Sequence, residues 1–346
     1  MNAPLLLKGS PASPYTRKML AVLRYRRIPY ALVISGSARA AALPKAKVEL
    51  LPTFYLPNAR GELEAVTDST PLIRRFETEY PGRHVRPPDP ALRFIDSLLE
   101  DYADEWLTKA MFHYRWTYAG DIRKAGGILR RWQDLSASDA VAAELAQQFS
   151  RRQIDRLRFV GSNPGTAKVI EASYLRFLAA FEAHLKAHSF MLGARPAAAD
   201  FGAYGQLTQL AHFDPTPSAI ALERAPRVYA WVAWVDDLSG QEPAEDGWFS
   251  RDALPPTLMS LLSEVGRVYV PVMLANESAV KAKAEQVRAE VDGQPWVQNP
   301  FPYQAKCLGW LREEFGALGG ADRAAVLRIL ESTGCGPLVR AGRVIE

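Results

Sequence analysis

Residues 4–34 have the sequence PLLLKGSPASPYTRKMLAVLRYRRIPYALVI, and this stretch decides the fold of the N-terminal region. A short apolar run over 4–8 predicts a buried strand. Ser13 stands directly before a proline, in the order of an N-cap and a first-turn proline, and predicts a helix over 15–27. A second strand is predicted over 30–34. A strand–helix–strand unit implies two parallel strands joined by a right-handed crossover.

The next segment adds a hairpin to this unit. Strands are predicted over 53–56 and 63–66, joined by the turn 58–61, and residues 35–50 are expected to be a loop with a poor helix. Another helix is expected to begin near Asp68. The order β-α-β-β-α predicts a small mixed sheet covered by helices.

Beyond a proline-rich linker the pattern becomes helical. The long apolar periodicity over 91–116 predicts one extended helix. We therefore expect an α/β domain over 1–83, an all-helical domain over 91–240 with an insertion at about 117–165, and a helical extension over 241–346 that packs on the body.

Four helices are expected in the extension, near 256–267, 276–291, 303–316 and 321–332.

Composition limits the class of protein. The chain has 346 residues, 42 Lys+Arg, 38 Asp+Glu and two cysteines, Cys307 and Cys335. The charge is spread along the sequence, so we expect no nucleic-acid partner. Two cysteines build no disulfide framework, and we expect free thiols, Cys307 in the core and Cys335 open to solvent and reactive. With no secretory signal and no apolar run of membrane-span length, the expected location is the cytoplasm, without membrane contact.

Four short motifs occur in a particular order. They are Ser-Pro-Tyr-Thr-Arg-Lys at 13–18, Leu-Pro-Thr-Phe at 51–54, Asp-Ser at 68–69 followed by Leu-Ile at 72–73, and Phe-Met-Leu-Gly-Ala-Arg-Pro-Ala-Ala-Ala-Asp-Phe at 190–201. In this order they resemble the glutathione S-transferase superfamily, in its bacterial form with serine in the catalytic turn, over roughly residues 4–238. The resemblance implies a thioredoxin-like N-terminal domain and an all-α C-terminal domain.

The resemblance also implies that Ser13 stabilises the thiolate of glutathione. A hydroxyl at a helix N-terminus can donate a hydrogen bond to sulfur, and the helix dipole favours the anion. Ser10 and Tyr15 are rivals for this role, and Ser13 alone also fits a plain N-cap. Glutathione would be the co-substrate.

A glutathione-binding set follows from the same resemblance: Leu51, Pro52, Asp68, Ser69, Tyr15 and Arg17. The Leu51–Pro52 peptide bond is expected to be cis, with Leu51 pairing with the peptide part of glutathione. Asp68 would bind the ammonium of the γ-glutamyl group, and Ser69 with the helix N-terminus its carboxylate. The glycine end would meet a basic residue among Lys45, Lys47 and Arg17.

The second substrate is expected to be an apolar, electrophilic small molecule. The family places it beside the first long helix of the helical domain, which carries five aromatic side chains: Tyr102, Trp106, Phe112, Tyr114 and Trp116. Tyr102, Trp106 and Tyr114 are candidate cleft residues, although an aromatic-rich helix is often plain core.

The resulting hypothesis is a glutathione transferase-like enzyme that conjugates or otherwise uses reduced glutathione, with detoxification as the typical role and a homodimer as the family habit. Isomerisation, dehalogenation and ether cleavage use the same site in the family and stay open as reactions. The alternative is a non-catalytic ligand-binding or protein-interaction protein with the same fold. A thiol-disulfide oxidoreductase is disfavoured because Ser13 and Thr16 stand where it needs cysteine. No metal is expected, because His184 and His188 have no third ligand in a metal-binding pattern.

Overall fold

The computed structural model describes residues 4–244 and 246–340. Its N-terminal part has the predicted order of elements: β1 (Leu5–Gly9), α1 (Pro14–Tyr25), β2 (Tyr30–Ile34), α2 (Ala38–Ala41), β3 (Thr53–Pro57), β4 (Leu63–Thr67) and α3 (Ser69–Glu79). The strands lie in the order β2-β1-β3-β4, with β1 parallel to β2 and antiparallel to β3, and β3 antiparallel to β4. The predicted mixed sheet is thereby confirmed.

Apolar side chains of the sheet and its helices share one core. Leu7 and Phe54 from the sheet, Met19 from α1, and Leu72 and Phe76 from α3 are all buried. Burying such side chains stabilises the fold by roughly 1.5–3 kcal/mol each. The motif at 13–18 and the Asp68–Ser69 motif thus lie at the starts of two helices, α1 and α3, that share this core.

The predicted long helix is present as α4 (Pro90–Tyr102), a π-helical segment (Ala103–Leu107) and α5 (Thr108–Thr117) in succession. Short π-helical segments inside α-helices are frequent at functional sites. Within this helix the π-helical segment carries Asp104 and Glu105, both buried.

The segment expected to be an insertion contains α6 (Ala119–Arg131), α7 (Asp139–Asp155) and a 3₁₀ turn (Arg156–Phe159). It builds a second apolar cluster in which Trp116, Leu129 and Phe213 are buried and Ala12 and Trp132 pack at the edge. The insertion therefore lies against the turn that precedes α1.

Four helices follow the insertion: α8 (Ala167–His184), α9 (Ala198–Leu207), α10 (Pro215–Arg224) and α11 (Pro226–Val235), with a π-helical segment (Thr208–Phe213) after α9. At the start of α9 the carboxylate of Asp200 accepts hydrogen bonds from the backbone N–H groups of Met191 and Ala197, each at 2.9 Å. Helix α9 approaches α1 closely, since a Cβ on Gly205 would lie 2.5 Å from the carbonyl oxygen of Pro14.

The C-terminal extension contains helices and one hairpin: α12 (Pro256–Glu264), a π-helical segment (Val265–Tyr269), α13 (Val270–Lys281), β5 (Val287–Val291), β6 (Gln294–Gln298), α14 (Pro302–Gly316), α15 (Gly320–Ser332) and α16 (Pro337–Arg340). The helix expected over 276–291 is wrong in its second half, because β5 and β6 pair as an antiparallel hairpin. The turn between them is Asp292-Gly293, with positive φ at both residues. Asp-Gly favours this two-residue turn.

The extension packs on the body. Glu314 of α14 forms ion pairs with Arg74 of α3 at 2.9 Å and with Arg86, in the segment between α3 and α4, at 2.6 Å. Helices α14 and α15 both contact α4.

One helical run in the extension was not foreseen as a membrane-span candidate. Residues 256–281 are long and apolar enough to cross a membrane by length and composition. An 18-residue window within them has a mean hydropathy of 1.4, and 56% of that window is buried inside the protein. The expectation that the chain has no such run is therefore wrong. The run packs against α8, α14 and β5, as a core helix does.

Candidate functional site

The turn before α1 holds Ser13 as the N-cap of the helix. Its Oγ accepts a hydrogen bond from the backbone N–H of Thr16 at 3.2 Å and donates one to the carbonyl oxygen of Leu51 at 3.3 Å. Gly9 permits this geometry, because a Cβ there would lie 2.6 Å from the side chain of Thr16. The structure thus brings Ser13 and Leu51 together.

Ser10 and Tyr15, the two alternatives to Ser13, form hydrogen bonds with other partners. Ser10 is buried, and its Oγ accepts a hydrogen bond from the backbone N–H of Ala12 at 3.3 Å. The hydroxyl of Tyr15 donates to the carbonyl oxygen of Asp104 at 2.8 Å, and burial raises the pKa of Tyr15 well above its usual value. Ser13 is therefore the hydroxyl of this turn that faces Leu51.

The Leu51–Pro52 peptide bond is cis, as expected from the sequence. Leu51 is half-buried and lies just before β3, so its backbone is outside the strand ladder. Thr53 fixes the approach to the strand, since its hydroxyl donates to the carbonyl oxygen of Leu50 at 2.7 Å.

Asp68 joins β4 to α3 in an unusual backbone conformation, with φ of 88° and ψ of 112°. Non-glycine residues adopt such positive φ values at a cost, often at functional sites. Its carboxylate accepts a hydrogen bond from the hydroxyl of Tyr303, on α14, at 2.7 Å. Burial raises the pKa of Asp68, against the hydrogen bond from Tyr303 and the charge of Lys18, which lower it.

A buried ionic cluster lies directly behind Asp68 and Ser69. The ammonium of Lys18 is 3.2 Å from Ser69 Oγ, 2.6 Å from Glu100 Oε1 and 2.5 Å from Asp104 Oδ2. Burial raises the pKa of Asp104 to about 6. At Glu100 burial also acts to raise the pKa, but the charge and hydrogen bond of Lys18, together with nearby arginines, outweigh it and lower the pKa. The cluster ties α1, α3 and the long helix together beneath the candidate site.

The candidates for the glycine end differ in placement. Lys45 and Lys47 are exposed on the loop between α2 and β3. Arg17 donates from Nε to the carbonyl oxygen of Pro11 at 3.2 Å and lies 3.6 Å from the carboxylate of Asp236. Arg17 thus faces the helical domain, whereas the two lysines lie on the loop that leads to Leu51.

A pocket of about 400 Å³ lies beside Arg17. Its walls combine aromatic and charged side chains, including Arg17, Trp132, Tyr204, His212, Phe213 and Asp236. Trp132 and Phe213 also belong to the cluster that Ala12 joins, so the pocket adjoins the turn that carries Ser13.

The three aromatic candidates for the cleft are packed in the core. Tyr102 contacts Phe177 and Tyr269, and the rings of Trp106 and Trp296 are 5.3 Å apart. Tyr114 is enclosed as well, at 2% exposure. Among the aromatic side chains of this helix, Phe112 is partly exposed at the edge of the cluster that contains Trp116.

The histidines and cysteines have structural partners. His184 bonds with the hydroxyl of Thr257 at 2.8 Å and the carbonyl oxygen of Phe190 at 3.0 Å. Residues 4–244 and 246–340 contain no group of three His, Cys, Asp or Glu side chains placed to hold a metal ion. Both cysteines are buried, so the expectation of an exposed Cys335 is wrong. Burial raises the pKa of the Cys335 thiol to about 12.

Sequence reasoning missed several residues around the site. Lys18 lies within the quoted catalytic-turn motif, and its position on an otherwise apolar helix face was an available signal. Glu100 and Asp104 are four residues apart among apolar residues, so they lie on one face of the long helix. Tyr303 carries no local signal, since only the tertiary fold brings it to Asp68.

Known protein families match this chain in its N-terminal region and in its helical region. Family models match the glutathione S-transferase N-terminal domain over residues 7–84 and the glutathione S-transferase C-terminal domain over residues 133–233. Together these matches cover just over half of the chain. No curated protein matches the sequence.

Similar solved structures are distant in sequence. A glutathione S-transferase from Methylobacterium radiotolerans in complex with glutathione sulfonate is 18% identical, with 72% of this chain and 99% of that chain covered and a TM-score of 0.41. The β-etherase LigF from Sphingobium sp. strain SYK-6 is 18% identical, with 68% and 95% covered and a TM-score of 0.47. A maleylacetoacetate isomerase from Anaeromyxobacter dehalogenans is 16% identical, with 69% and 98% covered and a TM-score of 0.36. The assignment rests on the two family models, and by them the chain belongs to the glutathione S-transferase family.

Proposed function

We propose that this protein is a glutathione-dependent enzyme that joins reduced glutathione to an apolar, electrophilic small molecule, with Ser13 stabilising the thiolate. The observation that carries the proposal is the contact between Ser13 Oγ and the carbonyl oxygen of Leu51 at 3.3 Å. It sets the hydroxyl at the N-terminus of α1 beside the one backbone segment that the family uses to hold a peptide-like ligand.

Glutathione binds along the edge formed by Leu51, Pro52, Asp68 and Ser69. Its cysteine N–H donates to the carbonyl oxygen of Leu51, as an added strand would. The Ser13 hydroxyl then loses its acceptor and turns its hydrogen to the sulfur, while its oxygen still accepts from Thr16. The same side chain thus caps the helix and stabilises the thiolate.

The chemical step is a nucleophilic attack. A free thiol has a pKa of about 8.5, so the hydrogen bond from Ser13 and the positive end of the α1 dipole must favour the anion at neutral pH. The proton leaves to solvent, and the thiolate electron pair forms a carbon–sulfur bond. In a substitution the leaving group departs with its bonding electrons, and in an addition the substrate takes up a proton.

The pocket beside Arg17 is the proposed place of the electrophile. Trp132 and Phe213 offer apolar surface, and the pocket adjoins the turn that holds the thiolate. Tyr102, Trp106 and Tyr114 are enclosed in the core and do not line this pocket, so they are not part of the proposed electrophile site.

The first test is a calorimetric titration with reduced glutathione, using the wild type, Ser13→Ala and Asp68→Ala. We expect millimolar or tighter binding for the wild type, weakened by Asp68→Ala, and near-normal binding for Ser13→Ala. Turnover of an activated aryl halide should fall about ten- to a hundredfold in Ser13→Ala, the value of a hydrogen bond to a charged group.

The matched control is Ser138→Ala, because Ser138 is also an N-cap and accepts from the backbone N–H of Val141 at the start of α7. This variant should lose similar stability and keep its turnover. Lack of glutathione binding by folded wild type at several millimolar would refute the proposal. Binding without turnover of any electrophile would support a ligand-binding protein instead. Homodimer formation and a role in detoxification stay predictions.

A further inference from the structure

The start of α14 is held firmly in place. The side chain of Asn276 accepts a hydrogen bond from the backbone N–H of Phe301 at 2.8 Å and donates one to its carbonyl oxygen at 2.9 Å. Pro302 then begins the helix, and Cys307 and Leu308 are buried one turn later. Tyr303 therefore leaves a fixed backbone position.

A second set of contacts joins this helix to the long helix of the body. The side-chain amide of Gln304 donates to the carbonyl oxygen of Glu105 at 3.4 Å, and Gln304 is itself buried. Glu314, further along α14, pairs with Arg74 on α3. Helix α14 is thus fixed to the long helix and to α3, the helix that begins directly after Asp68.

We propose that Tyr303 of the C-terminal extension is a positioning residue of the glutathione site, which orients the Asp68 carboxylate toward the γ-glutamyl ammonium. The inference rests on the proposed function, and it makes the extension part of the ligand site rather than a separate module. Its basis is the hydrogen bond of 2.7 Å from the Tyr303 hydroxyl to Asp68 Oδ2.

A tyrosine suits this task better than a cation. A carboxylate has about four acceptor positions on its two oxygens, so one hydroxyl leaves room for an ammonium group. A neutral donor also leaves the negative charge of Asp68 available, whereas a lysine in direct contact would neutralise it. Lys306, the nearest cation on α14, is exposed and lies over the ring of Trp310 at 4.4 Å from its centroid.

The hydrogen bond between Tyr303 and Asp68 also has a second interpretation, which predicts the opposite change in glutathione affinity. If Tyr303 occupied the ammonium position, it would compete with glutathione, and its removal would strengthen binding. The two interpretations therefore predict affinity changes of opposite sign for a single variant.

The test is Tyr303→Phe in the full chain, with Tyr269→Phe as the matched control. Tyr269 also lies in the extension and donates its hydroxyl to a carboxylate, that of Asp101, away from Asp68. Each variant is titrated with reduced glutathione and with glutaryl-cysteinylglycine, which lacks only the ammonium. Thermal unfolding of both variants checks that the fold is kept.

We expect Tyr303→Phe to weaken glutathione about tenfold and to leave the affinity for glutaryl-cysteinylglycine unchanged, because only the first ligand presents a charged partner for Asp68. Tyr269→Phe should bind both ligands as the wild type does. A merely structural role of Tyr303 would weaken both ligands alike.

Unchanged or tighter glutathione binding by Tyr303→Phe, or an equal loss for both ligands, would overturn the inference alone, provided that Asp68→Asn still weakens glutathione. Failure of the folded wild type to bind glutathione at all would overturn the proposed function and this inference together.

Discussion

The N-terminal region, residues 4–80, and the C-terminal extension meet at Asp68, but they are specified in different ways. Ser13 and Leu51 are 38 residues apart in sequence, and the turns and caps that place them are local. Asp68 and Tyr303 are 235 residues apart, and only the packing of α14 brings them together. One half of the candidate site thus follows from motifs and the other half from tertiary structure.

The largest expected effect is a loss of stability in the N-terminal region, caused by a change at Lys18. Lys18→Met would leave Glu100 and Asp104 buried without their cation, and removing one partner of a buried ion pair costs about 3–5 kcal/mol. Urea unfolding should report that loss, while Lys45→Met, at an exposed position, should stay within about 0.5 kcal/mol of the wild type. A Lys18→Met variant as stable as the wild type would mean that the carboxyls are neutral in the folded protein.

The next prediction tests whether the C-terminal extension unfolds cooperatively with the rest of the protein. Leu308 is fully buried on α14, and Leu308→Ala should lower the free energy of unfolding by about 3 kcal/mol. Because α14 contacts the long helix, we expect the whole protein to unfold in one transition at a lower temperature.

Leu222→Ala, at a position that is 57% exposed, is the control for the same chemical change. Two separate transitions in Leu308→Ala, with only one shifted, would show that the extension is an independent module.

A smaller effect is expected for the two ion pairs that clamp α14 to the body, those of Glu314 with Arg74 and Arg86. Glu314 pairs with Arg74 and Arg86 in a partly exposed position, so Glu314→Gln should cost about 1 kcal/mol. We also expect weaker binding of glutathione by a factor of two or three, because the clamp supports the helix that carries Tyr303. Arg75→Gln, which breaks the exposed pair with Glu79, should leave the affinity unchanged. An equal loss of glutathione affinity in both variants would show that the ion pairs of Glu314 do not support the binding site.

The difference between the two regions explains what the sequence could predict. The first strands, α1 and α3 follow from short apolar runs, prolines and caps, and their predicted bounds lie close to the observed ones. The predicted helix over 276–291 includes the first strand of the hairpin, although the alternation of Val287, Ala289 and Val291 and the Asp292-Gly293 turn are local signals of a hairpin.

The aromatic side chains of the long helix show a second limit of prediction from the sequence. Their spacing predicts a buried face, but it does not say what covers that face. Trp106 packs against Trp296 and Tyr102 against Tyr269, both from the extension. A partner about 170 or more residues away leaves no mark in the local pattern, and the same holds for Tyr303.

Near neutral pH the smallest expected effect is the pH dependence of glutathione binding, which reports on Asp68. The ammonium needs an ionised carboxylate, so affinity is full above the pKa of Asp68 and declines as the pH falls through it. Burial raises that pKa, so the decline begins above the range of an ordinary aspartate, whose pKa is about 3.9. From pH 7.5 down to the pKa of Asp68 we expect the affinity to fall by at most about twofold, and below that pKa by up to about tenfold per pH unit.

Other groups around Asp68 influence this titration. Lys18, Lys306 and the hydroxyl of Tyr303 lower the pKa of Asp68, and the negative charge of Asp104 acts in the opposite direction. Asp104 itself has a pKa of about 6, and its protonation eases the repulsion between the two carboxylates. Asp68→Asn should bind glutathione weakly and lose the steep decline at acidic pH. If the decline persists in Asp68→Asn, it belongs to Asp104, and the ammonium must bind elsewhere than at Asp68.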